Sequence, residues 1–274
     1  MGRRKKKSNA KLLLRWVIAL SAVLILMAAL AVTLKQCAPV PERDPIDTTP
    51  STPGANPFAP TDFVRNESGY LTCLTAKSIP GIDVSSHQGQ IDWAAVKASG
   101  IEFAIIRLGY RGYDSGTLHI DERAQQNLAG AKAAGLKIGA YFFSQALTAA
   151  EAKAEARLAL KVLDGTALDL PLVYDWEYVA QDARTGSMDN EVLMQCVHTF
   201  CGEVNRAGYQ PMVYFNQDLA KTRLDLDRLS CYPFWLALYS DKLTYPYEIR
   251  FWQYSDAGSV PGIEGNVDLD LYFP

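Results

Sequence analysis

Asp175 and Glu177 stand two residues apart at the end of the run Leu170-Pro-Leu-Val-Tyr-Asp-Trp-Glu177. The apolar stretch before them reads as a buried strand. Side chains on a strand alternate between faces, so the two carboxyls project from the same side. Acids held close together repel each other and lose water, which favours a proton remaining on one of them at neutral pH. A proton donor beside a second carboxylate is the equipment that hydrolysis of a glycosidic bond requires.

The elements that would position this pair follow a regular alternation from Ile79 onward. Strands are expected at Gly81–Val84, Phe103–Leu108, Lys137–Phe143, Leu172–Trp176 and Pro211–Phe215. Between them lie helices over 93–99, 124–134, 149–162 and 190–206, the third with Thr148 as its N-cap. Three further strands, at Phe234–Tyr239, Ile249–Tyr254 and Val267–Tyr272, follow with little room for helices. Eight mostly apolar strands predict an α/β fold: a closed but irregular β/α barrel lacking helices among its last three strands. In such barrels chemistry sits at the C-terminal ends of the strands.

Those ends carry Asp83, Arg107, Tyr141, Asp175, Glu177, Tyr214, Trp235, Tyr239 and Trp252, and the final strand carries Asp268 and Asp270. Carboxylates accept hydrogen bonds from sugar hydroxyls, and aromatic faces stack on pyranose rings. Glu177 and Asp175 are the expected catalytic pair. Asp83, Asp268, Tyr141, Tyr214, Trp235 and Trp252 are the expected substrate contacts, each aromatic being equally able to serve as core. Asp270 shares a face with Asp268 but has weaker motif support and is left out. Trp93 and Phe103 read as core. His87 reads as a hydrogen-bonding residue of the first strand's turn, and Trp176, by alternation, as packing behind the site. Arg107 suits either a neighbouring carboxylate or substrate.

Several motifs in order resemble the glycoside hydrolase family 25 lysozymes, the Chalaropsis-type muramidases. They are Gly81-Ile-Asp-Val-Ser-Ser-His-Gln-Gly89 with Ile91-Asp-Trp93, Phe103-Ala-Ile-Ile-Arg-Leu-Gly109, Gly135-Leu-Lys-Ile-Gly-Ala-Tyr141, Tyr174-Asp-Trp-Glu177, Phe251-Trp-Gln-Tyr254 and Val267-Asp268. The resemblance covers residues 80–273 and implies that the irregular barrel is flattened. It implies a muramidase that cleaves the β-1,4 bond between N-acetylmuramic acid and N-acetylglucosamine with retention. Glu177 would be the general acid/base, Asp175 its assistant, and Asp83 and Asp268 the rest of an acidic floor. No cofactor is implied, and the expected partner is the peptidoglycan glycan strand. A non-catalytic wall-binding module on the same fold is the alternative, disfavoured because binding alone needs no proton donor. A chitinase-like barrel would want a further Asp two residues before the pair, where this chain has Val173.

The 274 residues allow one sizeable domain plus appendages. The first 37 hold eight Lys or Arg and no acid, leaving 19 basic against 30 acidic groups in the rest. So acidic a body argues against nucleic-acid binding. Residues 1–11 read as a basic cytoplasmic tail and 12–34 as a transmembrane anchor, whose uninterrupted apolar part, Trp16 to Leu34, is about long enough to cross a bilayer. Residues 35–78, rich in Pro, Thr and Ser, read as an extracytoplasmic linker without a core, and 79–274 as the catalytic domain. The expected location is the cell membrane, single-pass, with a monomeric domain outside. Of the five cysteines (37, 73, 196, 201 and 231), an odd number outside the cell leaves at least one unpaired within the chain. With few His and no CxxC, a zinc site is not expected.

Overall fold

The computed structural model describes residues 44–274. The expected tail and anchor, and Cys37, lie outside the described residues. Among those described, no helix is long and apolar enough to cross a membrane. Cys73, Cys196, Cys201 and Cys231 are free thiols.

A short hairpin, β1 (Phe63–Arg65) and β2 (Leu71–Cys73), precedes the barrel. The barrel strands are β3 (Ile79–Val84), β4 (Phe103–Arg111), β6 (Lys137–Ser144), β7 (Leu172–Trp176), β8 (Pro211–Asn216), β9 (Phe234–Ala237), β10 (Phe251–Gly258) and β11 (Val267–Tyr272). They pair in the order β3-β11-β10-β9-β8-β7-β6-β4, and β3 also pairs with β4, closing the sheet. The small strand β5 (Leu118–Ile120) folds back on β4 as a flap. All barrel neighbours are parallel except those of β11, which runs against both β10 and β3. Helices α1 (Trp93–Ala98), α2 (Ala124–Ala133), α3 (Ala149–Leu163) and α4 (Asn190–Arg206) cover the first half. Thr148 caps α3 as expected, accepting from the Glu151 N–H. Only the short α5 (Gln217–Thr222) and α6 (Leu226–Leu229) stand between β8 and β9, and no helix follows β9.

The barrel interior is filled, not hollow. Phe103, Ile105, Val173, Met212, Tyr214, Trp235 and Phe251 meet there. The Phe103 and Phe251 rings meet edge to face at 5.4 Å, and Phe251 stacks on Tyr272 at 4.5 Å. Gly81 makes room for this plug, since a Cβ there would stand 2.3 Å from the Phe103 ring. With the lower barrel packed, most polar groups on the inward faces collect at the mouth.

The described part of the expected linker, residues 44–78, is not a free tether. The Asp44 carbonyl accepts from Asn205 Nδ2 at 2.6 Å, and Ser51 N–H donates to Asp227 at 3.0 Å. Gly54 and Asn56 bond the backbone of Glu248 and Pro246 at 2.7 and 2.9 Å. Phe58 packs on Phe273 (4.7 Å between ring centres) and Phe63 on Trp252 (5.0 Å). Leu71 N–H donates to the Tyr254 hydroxyl at 3.4 Å. The physical reason is the missing helices. Trp252 and Tyr254 point outward from β10 and need cover, and this strap supplies it. Average composition concealed the few apolar residues, Phe58, Phe63, Tyr70 and Leu71, that make the contact.

Phe63→Ala is therefore expected to lower stability by about 3 kcal/mol, as for a buried aromatic truncated in a core. A chain beginning at residue 79 should melt lower and show red-shifted tryptophan emission as Trp252 meets water. An unchanged melting temperature and spectrum would mean that the strap only rests on the barrel.

Candidate active site

One cleft at the barrel mouth is lined by Asp83, Tyr141, Asp175, Glu177, Tyr214, Trp235, Tyr239, Gln253 and Asp268. Strand parity puts them there. Val173 belongs to the interior plug, so Asp175 faces inward too, and Glu177 continues that face one residue past β7. Asp83 near the end of β3 lies directly across from Asp268 of β11. Because β11 is antiparallel, its first residues reach the end of the barrel where the other strands finish.

The two sides of the cleft are tied by Gln253. Its Nε2 donates to Asp83 Oδ2 at 2.7 Å, and its Oε1 accepts from the hydroxyls of Tyr214 (2.9 Å) and Tyr239 (3.3 Å). Below, Trp235 Nε1 donates to Asp270 Oδ1 at 2.9 Å, and Asp270 is wholly buried. Beside the acids, Arg107 is held by Asp121 (Nε to Oδ2, 2.8 Å) and by the Ser86 hydroxyl (3.2 Å). Its charge draws the Asp175 carboxyl downward, against the larger effects of burial and Glu177.

Lost hydration governs the chemistry. Burial raises the Glu177 carboxyl above the usual carboxylate range, and the Asp268 charge adds to it. Burial and then Glu177 push Asp175 well up. Burial, Asp268 and Asp270 do the same to Asp83, and burial then Asp268 to Asp270. Asp268, nearer solvent, is raised to about 6 by burial and by Asp256. A desolvated acid that keeps its proton is a proton donor in waiting. Asp175 Oδ1 is buried with no hydrogen-bond partner. Such an orphan acceptor costs about 1–3 kcal/mol, and its presence in a cleft suggests that a ligand supplies the donor.

Of the residues expected at the site, Asp83, Tyr141, Asp175, Glu177, Tyr214, Trp235 and Asp268 come together here. Trp252 does not. It is fully buried on the outer face of β10, donating to the Leu238 carbonyl at 2.8 Å beneath Phe63. Alternation explains the error: Phe251 faces the plug, so Gln253 faces the cleft and Trp252 the strap. Aromatic type alone points to Trp252, whereas parity points to Gln253, which carries no such signal. Tyr239, 55% exposed, is the lining aromatic with a face open to solvent. Trp176 packs outward under Arg223, with the guanidinium 5.3 Å from the ring centre. His87 is exposed, and its backbone N–H bonds Ser85 Oγ at 3.2 Å. Among the described residues, no group of three or more His, Cys, Asp or Glu is disposed to hold a metal ion.

Comparison with known proteins adds to this geometry. The profile of the family described as glycosyl hydrolases family 25 matches residues 82–263. The chain is 32% identical over 193 residues to the autolytic lysozyme of Clostridium acetobutylicum, covering 70% of this chain and 55% of that protein. It is 30% identical over 204 residues to lysozyme M1 of Streptomyces globisporus, covering 71% of this chain and 67% of that one. The crystal structure of the bacterial lysozyme from Streptomyces coelicolor superposes with a TM-score of 0.60 at 26% identity, over 72% of this chain and 92% of that one.

The raised carboxyls predict how stability varies with pH. A group whose folded pKa exceeds its unfolded value stabilises the fold below the unfolded value, and that stability is lost as pH rises through the folded one. For Asp268 the window runs from its ordinary value near 3.8 to about 6. Asp268→Asn should therefore melt higher than wild type at pH 7, with the difference shrinking by pH 4. Melting curves across that range check it; equal differences at both ends would contradict it.

Proposed function

The chain belongs to glycosyl hydrolase family 25, and from this we propose that it is a peptidoglycan muramidase. It hydrolyses the β-1,4 bond between N-acetylmuramic acid and N-acetylglucosamine. The observation that carries this reading is the pair Asp175 and Glu177 on one face of β7, desolvated together in an acid-lined cleft.

Glu177 is the general acid, giving its proton to the glycosidic oxygen as that bond to the anomeric carbon breaks. Asp175, with its buried free acceptor, receives the N–H of the substrate's 2-acetamido group. That contact turns the acetamido oxygen toward the anomeric carbon, where it forms the new bond in place of the one lost. Glu177, now a carboxylate, then takes a proton from the water that opens the ring so formed, and configuration is retained. The orphan acceptor favours this route over direct attack by Asp175. Asp83, held by Gln253, and Asp268 accept sugar hydroxyls, with Tyr239 as a stacking face.

The chain spans about half the length of the Clostridium lysozyme, and its setting is part of the proposal. Residues 12–34 anchor it in the cell membrane, the amino-terminal tail lies in the cytoplasm, and a monomeric catalytic domain works outside on glycan strands. The alternative, a wall-binding module without catalysis, predicts retention on purified walls with no clearing.

Glu177→Gln should abolish clearing of purified walls while leaving the melting temperature within a few degrees of wild type. Asp175→Asn should lower kcat by about 10²–10³-fold, the range for a lost transition-state hydrogen bond. Mass analysis of the released fragments should find new muramic-acid reducing ends. Full activity of Glu177→Gln, or glucosaminyl reducing ends, would overturn the assignment.

A further inference from the structure

The hydrogen-bond ladder between β6 and β7 ends at the pair Ser144 and Trp176. Glu177 is the next residue, and no strand pairing holds its backbone. The residue beside it on the β6 side is Gln145, which is completely buried. Gln145 Nε2 donates to the Glu177 backbone carbonyl at 2.9 Å. A side-chain amide thus adds one more rung to the ladder where the main chain stops.

The side-chain oxygen and the backbone carbonyl of Gln145 are also engaged. Its Oε1 accepts from the Thr185 hydroxyl, and its backbone carbonyl accepts from Arg184 Nη1 at 2.6 Å. Arg184 forks onto Glu151 of α3 at 2.8 and 2.9 Å. The Arg184 N–H donates to the Tyr113 carbonyl at 3.0 Å. The preceding Ser144 hydroxyl donates to the buried Glu155 at 2.6 Å, and Glu155 is paired with Arg111, also at 2.6 Å. Gln145 therefore sits between a rigid ionic core beneath α3 and the loop that begins with Glu177. The Glu151 carboxyl is lowered to about 2 by Arg184. The fork stays ionised throughout the range in which carboxyl catalysis operates.

We propose that Gln145 is a positioning residue for the reaction, holding the Glu177 backbone so that its carboxyl stays over the cleft, with Thr185, Arg184 and Glu151 as the latch that fixes Gln145 and the loop together. This rests on Glu177 being the general acid. Displacing a reacting group by about 1 Å can cost roughly 10²-fold in rate. A loosened loop also admits water to Glu177 and lets its pKa fall.

The test uses Gln145→Leu, which keeps bulk and removes both side-chain hydrogen bonds, with Thr185→Val and Thr185→Ser, on a soluble glycan substrate. In Gln145→Leu, kcat should fall at least tenfold with KM within twofold, and the alkaline limb of the pH–kcat profile should move to lower pH. Thr185→Val should show a smaller loss of the same kind, and Thr185→Ser, which keeps the hydroxyl, should recover kcat. If kcat and the alkaline limb are unmoved in Gln145→Leu and Thr185→Val, whatever their melting temperatures, the residue is only structural and the inference fails. Should Gln145→Leu not fold, the Thr185 pair decides alone by the same criteria. An active Glu177→Gln sinks the parent reading. A dead Glu177→Gln beside wild-type behaviour of these variants sinks only this one.

Discussion

Removal of water from several carboxylates at once is the constraint on which the site depends. Asp83, Asp175, Glu177 and Asp268 line the cleft and Asp270 lies beneath it, and burial is the largest influence on every one of them. An ionised carboxylate without water or a cation is expensive, so the group responds by retaining protons. The one nearby guanidinium among the described contacts, Arg107, is already committed to Asp121. The cluster is therefore kept short of positive charge, and this under-compensation is what holds its carboxyls above the usual carboxylate range.

The fold creates that condition by simple means. The aromatic plug closes the lower barrel, admitted by the bare Cα of Gly81. Above the plug, with Tyr141, Tyr214 and Trp235 at the boundary, the inward polar residues form the mouth. Reversal of β11 adds Asp268 to a ring otherwise built from the ends of parallel strands. Gln253 fastens Asp83 to two tyrosine hydroxyls, so the acid is oriented without a positive partner. The strap over β10 matters indirectly. It shields the outward Trp252 and so steadies the strand that carries Gln253.

Much of this was legible in the sequence because it rests on period and order. The eight barrel strands, the four helices of the first half and the scarcity of helices near the end follow from apolar runs and their spacing. The inward pairing of Asp175 and Glu177 follows from alternation. What escaped did so for identifiable reasons. Chemical type selects Trp252, where parity, read from Phe251, selects Gln253 instead. Asp270 carries no local signal that distinguishes a buried acid from a surface one. Residues 44–78 have the composition of a linker, yet four apolar side chains among them meet a long-range surface that no local pattern reveals. Gln145 is likewise silent in sequence, because its importance comes from standing beside the last rung of a ladder.

Whether Glu177 retains its proton, as the proposed function requires, is measured by carbon-detected NMR titration of its side-chain carboxyl in the intact domain, with Glu177→Gln identifying the resonance. The midpoint should lie above the ordinary glutamate value of about 4.3 and should fall in an Asp268→Asn background, where one repelling charge is gone. A midpoint at or below the ordinary value, unmoved by that change, would contradict the claim that desolvation among carboxylates makes this residue an acid.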